Sequence, residues 1–84
     1  MHEIVFVKSA VKELDALSES LQVRVFEKVR LLARDPRPPG CQKLQSAAGL
    51  WRIRVGDYRV IYSIDDRQEQ VNVFSIRHRS DAYR

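Results

Sequence analysis

The spacing of apolar side chains changes character along the chain, and each change marks an element. Ile4 to Val7 is an unbroken apolar run closed by Lys8, the pattern of a short buried strand. Ser9 suits a helix N-cap, and Ala10, Val11, Leu14 and Leu17 then recur at helical spacing, predicting a short amphipathic helix. Ser18 or Ser20 can cap a second helix. There Leu21, Val25, Val29 and Leu32 form an apolar stripe widened by Phe26 and Ala33, with Arg24, Glu27, Arg30 and Arg34 on the other side. Asp35-Pro36 ends that helix, because proline disfavours helical backbone in the residue before it. Pro36 to Gly49 holds three prolines and two glycines, which predicts a loop without regular structure, with Leu44 tucked under the sheet.

From Leu50 the period falls to two. Trp51, Ile53 and Val55 alternate with Arg52 and Arg54, so the two sets belong to opposite faces of a strand. Gly56-Asp57 is a two-residue connection of the kind a tight hairpin uses, since glycine accepts positive φ. With that loop Val55 pairs with Tyr58, Arg54 with Arg59, Ile53 with Val60 and Trp51 with Tyr62. One face then carries Trp51, Ile53, Val55, Tyr58, Val60 and Tyr62, and the other Arg52, Arg54 and Arg59. Asp65 to Glu69 is a polar turn, and Val71 to Ile76 is the last strand. The predicted fold is α+β in a single domain spanning 1–84. An N-terminal strand and a two-helix hairpin precede a three-stranded antiparallel meander, with the helices on one face of a four-stranded sheet.

The cationic face calls for a reason. Like charges directly opposite on neighbouring strands destabilise a sheet, so Arg54 facing Arg59 is a local conflict. Conflicts of this kind tend to mark function, and a polyanion lying across the guanidinium groups would relieve it. The plainer alternative is a solvated outer face. Arg77, leaving the last strand in the parity of Val71, Val73 and Ser75, is placed to point to the face of Arg54 and Arg59. His78, Arg79 and Tyr83 follow it, offering a titratable imidazole, a further guanidinium and a stacking ring. Arg37 and Lys43 give the preceding loop cations that can grip a ligand beside the sheet.

Charge is unevenly distributed. Residues 1–35 hold six Lys/Arg against six Asp/Glu, and residues 36–84 nine against five, so the net +4 arises wholly in the second half. Eleven of the fifteen basic residues are arginine, which suits phosphate recognition. The single cysteine, Cys41, leaves no internal disulfide and fits a reducing cytoplasm. One cysteine and two distant histidines offer no metal-ligand spacing, and the early apolar run is too short for a signal peptide or membrane span.

Taken with this order of elements, the stretch KLQSAAGLWRIRVGDYRVIYSI and the terminal IRHRSDAYR resemble the RelE/ParE toxin superfamily, and more closely its RelE-type ribosome-dependent mRNA interferases. The resemblance runs over nearly the whole chain and is most specific from Lys43 to Tyr62 and from Ile76 to Tyr83. It implies a cytoplasmic toxin that needs no metal or other cofactor. Its partners would be the ribosome, mRNA in the ribosomal A site and a cognate antitoxin. The implied reaction is attack of a ribose 2′-hydroxyl on the adjacent phosphorus, leaving a 2′,3′-cyclic phosphate and a free 5′-hydroxyl. Arg59, Arg77, Tyr83, Arg52 and Arg54 fall at the positions that surround the scissile phosphate, with Lys43, Arg37, Arg79 and His78 as further RNA or ribosome contacts.

In some members of the family lysines occupy the second strand where this chain has Arg52 and Arg54. A crowded lysine can shed its proton and act as a base, whereas arginine essentially cannot. The general base is therefore open between Tyr83 and His78. Two other functions share the fold: ParE-like inhibition of DNA gyrase, and a catalytically weak member that serves mainly as an antitoxin-binding co-repressor.

Overall fold

The structure, a computed structural model, describes residues 1–45 and 48–80. In chain order the elements are β1 (Glu3–Phe6), α1 (Lys8–Asp15), α2 (Glu19–Leu31), β2 (Gln42–Lys43), β3 (Leu50–Val55), β4 (Tyr58–Asp65) and β5 (Gln70–His78). The strands form one sheet in the order β1-β5-β4-β3-β2, with β1 parallel to β5 and every other pair antiparallel. The sheet is thus five-stranded where four strands were expected. The extra strand lies inside the predicted loop: Gln42 pairs with Arg52 and Lys43 with Trp51, and the Leu44 N–H donates to the Leu50 carbonyl at 2.8 Å. Two residues are too few to show a period of their own, and it is the free edge of β3 that draws them into the ladder. Leu44, half-buried, sits at the end of this short pairing.

The hairpin follows from its alternation and its turn. Val55 pairs with Tyr58, Arg54 with Arg59, Ile53 with Val60 and Trp51 with Tyr62, with Gly56 at φ 60° in the connection. Both helices cover the face bearing Ile53, Val55, Val60, Tyr62, Val71, Val73 and Ile76, all buried with Ala10, Leu14, Val25, Val29 and Leu32 in one core. Phe6 brings β1 into this layer through a tilted ring contact with Phe26, their centroids 5.7 Å apart. Ser18 is the cap of α2, its hydroxyl accepting from the Leu21 N–H at 3.3 Å. Ser9 caps nothing. Helix α1 starts two residues earlier than a Ser9 cap requires, at Lys8 with Val7 in the cap position, and the Ser9 hydroxyl donates to the Phe74 carbonyl at 3.3 Å.

That carbonyl belongs to a β-bulge. Ile61 pairs with Ser75 but Tyr62 pairs with Val73, so Phe74 is an extra residue without an opposite number on β4. The insertion overturns the single parity expected for β5. Val71 and Val73 face the helices, as does Ile76, while Ser75 and Arg77 face the other way. Phe74 itself is 39% exposed. No helix among the described residues is long and apolar enough to cross a membrane.

Tyr62 ties the sheet to the chain leaving α2. Its ring is fully buried, and its hydroxyl donates to the Pro36 carbonyl at 2.7 Å. Burial, and then Cys41 beside it, push its pKa well above the ordinary 10.0. A folded-state pKa raised in this way favours the protonated ring, so the contribution is intact below about pH 10 and is lost as unfolded chains ionise above it. Tyr62→Phe is expected to cost about 1 kcal/mol at pH 8. Its stability should also fall less steeply than the wild type's between pH 9 and 11, as read by urea denaturation across that range.

Candidate functional site

The register that buries one face determines what the other presents. Arg54 lies opposite Arg59, and Arg59 opposite Arg77, so three guanidinium side chains from β3, β4 and β5 form one cross-strand row on the face away from the helices. Arg54 and Arg77 are exposed and Arg59 is half-buried. Arg79 joins them: its N–H donates to the Asp57 carbonyl at 2.7 Å, fixing the end of β5 against the hairpin turn. A cleft of about 400 Å³ results, lined by Arg54, Tyr58, Arg59, Arg79, Ser80 and the Gly56-Asp57 turn.

Arg52 shares this face but is set lower. It is only 8% exposed, in a cross-strand row with Gln42, Ile61 and Ser75, and its Nη2 donates to the Gln42 Oε1. Gln42 was not foreseen, because a partner on so short a strand leaves no trace in the pattern. Arg77 has a partner as well, the carboxylate of Glu13 on α1, 2.9 Å from its Nε.

The other candidates lie elsewhere. Lys43 pairs with Trp51 and so belongs to the opposite side of the sheet from the arginine row. Arg37 stacks on Trp51, its Cζ 5.3 Å from the ring centroid, and donates to Asp66 at 3.1 Å. The Asp66 carboxyl also contacts His2 at 3.0 Å, and these two bonds, Arg37's first, hold it below the usual carboxylate range. His78 pairs with Tyr58, facing away from Arg77, and meets its ring edge-on at 5.3 Å. The His78 Nδ1 accepts from the Ser80 N–H at 3.2 Å and lies 2.9 Å from its hydroxyl, leaving Nε2 as the nitrogen that carries hydrogen in the neutral ring. Tyr83 lies outside the described residues. Among the described residues no three His, Cys, Asp or Glu side chains gather as a metal-binding group.

The concentration of positive charge extends around the turn. Arg24 and Lys28 of α2 share an adjoining depression with Arg54, and a Cβ on Gly56 would come 3.2 Å from the Arg24 Nη2. Arg54 is therefore flanked by cations on both sides of the sheet edge. Arg54→Gln is expected to raise stability by roughly 0.2–1 kcal/mol at low ionic strength. The gain should shrink in 1 M salt, where charges separated by more than about 3 Å are screened, as read by thermal unfolding at the two salt concentrations.

Residues 4–83 match the family described as the ParE toxin of type II toxin–antitoxin system, parDE. Toxin RelE of Mycobacterium tuberculosis is 32% identical over 84 residues, covering 99% of this chain and 87% of that one. The archaeal RelE–RelB complex of Pyrococcus horikoshii contains a chain that superposes with a TM-score of 0.81 at 29% identity, over 93% of this chain and 94% of that one. A RelBE toxin–antitoxin complex of Mycobacterium tuberculosis gives a TM-score of 0.82 at 28% identity, over 92% and 96%. The chain belongs to the RelE/ParE superfamily, the toxins of type II toxin–antitoxin systems.

Proposed function

We propose that this toxin is a ribosome-dependent endoribonuclease that cuts mRNA by the 2′-hydroxyl route. What carries the proposal is the register that sets Arg54, Arg59 and Arg77 in one cross-strand row, with Arg54, Arg59 and Arg79 lining the cleft by the hairpin turn. In such a reaction the nucleophile belongs to the RNA, and the protein supplies alignment, charge and proton transfer. Negative charge gathers on the equatorial oxygens as the 2′-oxygen bonds to phosphorus and the 5′-oxygen departs. Fixed guanidinium groups answer that charge, and their planar forks match a phosphate's oxygens.

Arg59 and Arg77 are assigned to the scissile phosphate, and Arg54 and Arg79 to the flanking backbone. Arg52, bonded to Gln42 and buried, supports the floor beneath them. The proton of the 2′-hydroxyl is assigned to Tyr83, since His78 stands on the other face of β5 with Nδ1 already engaged. The partner that restrains the toxin is a cognate antitoxin, as in the RelE–RelB and RelBE assemblies that contain its structural relatives. A ribosome-bound message as substrate puts the site of action in the cytoplasm.

The family match to ParE supports a second function, inhibition of DNA gyrase. The two are separated by adding purified protein to a translating extract and mapping message ends by primer extension, alongside a supercoiling assay. Cuts phased to the codon are expected, with supercoiling unaffected. Arg59→Ala is expected to lower the cutting rate by about 10²–10³ with the fold retained, as for removal of a fixed donor to transition-state charge. Intact message together with inhibited supercoiling would reverse the assignment.

A further inference from the structure

Strand β1 covers β5 only from Gln70 to Val73, so beyond the bulge the outer edge of β5 has no neighbouring strand among the described residues. Helix α1 closes that edge with two side chains one helical turn apart. The Ser9 hydroxyl donates to the Phe74 carbonyl, and Glu13, four residues on, accepts the Ile76 N–H on Oε1 at 3.0 Å. The second oxygen of Glu13 has a different partner, the Arg77 Nε at 2.9 Å. One carboxylate thus links the backbone of β5 to the guanidinium at the end of the arginine row.

Chemistry gives this link a direction. A guanidinium has five N–H bonds, and its Nε–H is the one nearest the backbone. With Nε held, rotation of the terminal group is restricted, and both Nη groups remain on a side chain that is 58% exposed. They form the edge that suits two phosphate oxygens at once.

We infer that Glu13 is a positioning residue of the proposed nuclease: it holds Arg77 by Nε and turns the Nη edge toward the scissile phosphate. The inference rests on the nuclease function proposed above. It assigns Glu13 no contact with RNA and no part in proton transfer.

Glu13→Gln is the informative substitution, because its amide oxygen can still accept the Ile76 N–H and keep the sheet edge closed. Single-turnover cutting of message in a purified translation system is expected to fall about tenfold, in the maximal rate and not in the half-saturating ribosome concentration. In an Arg77→Ala background the same substitution is expected to change the rate less than twofold. In nitrogen-15 spectra of the free protein the Arg77 Nε–H resonance, visible in the wild type, should broaden or shift in Glu13→Gln while the backbone amides of β4 stay in place. A Glu13→Gln protein that cuts as fast as the wild type or faster would overturn the inference and leave the nuclease function standing. So would an equal loss in the Arg77→Ala background, which would mean that Glu13 acts through something else. A wild-type protein that cuts no message would overturn the nuclease function itself, and the positioning role with it.

Discussion

The single extra residue at Phe74 is the constraint that the two faces of this sheet depend on. A strand that kept strict alternation from Val71 would send Ile76 outward and Arg77 into the core. Burying an unpaired guanidinium is prohibitive, and exposing the isoleucine would forfeit roughly 1.5–3 kcal/mol of burial. The bulge removes both penalties at once: Val71, Val73 and Ile76 all pack, and Arg77 comes into line with Arg59. It also creates two needs, an acceptor left over at the Phe74 carbonyl and an uncovered N–H at Ile76. Helix α1 meets both through Ser9 and Glu13. The bulge, the short β1 and the placement of α1 are parts of one solution.

The hairpin was legible because it states its own geometry. Five residues of strict alternation and a Gly-Asp connection leave one economical register, and a slip by one residue would send Ile53, Val55 and Val60 to the solvent face. The family was legible in the same stretch, since the residues that set the register also carry the resemblance. The four-strand count failed because Gln42-Lys43 pairs by virtue of the β3 edge and not by any pattern of its own. The parity of β5 failed because a bulge is a feature of two strands, and nothing local in VNVFSIR says which residue will be left over. Arg37 and Lys43 had looked like ligand-gripping cations from their loop. Cross-strand pairing and stacking on Trp51 put them on the other side of the sheet.

Residues that serve a site through another residue are the hardest to see in a sequence. Glu13 reads as the polar face of an amphipathic helix, and Gln42 as loop filler. Each takes its meaning from a cation distant in sequence, Gln42 from Arg52 ten positions on and Glu13 from Arg77 sixty-four positions on. Both are side-chain acceptors offered to an arginine on the cationic face. Such acceptors help a sheet carry cations on one face, because each holds its arginine from the side and leaves the open surface clear.

The nuclease proposed above would work from a surface whose cations are all arginine. Arginine gives a strong, permanent charge but no removable proton, so a site built from it must obtain its specificity from orientation. Orientation has to be imposed on a long side chain, and the structure does so by different means at each position. Arg52 is packed and bonded, Arg59 is half-buried in the centre of the sheet, and Arg77 is anchored by Nε. Arg54 and Arg79, at the rim by the Gly56-Asp57 turn, are the ones left to adapt to whatever backbone lies there. A gradient from fixed centre to adaptable rim is what a site needs if one linkage is to be held in place while the chain on either side varies in sequence.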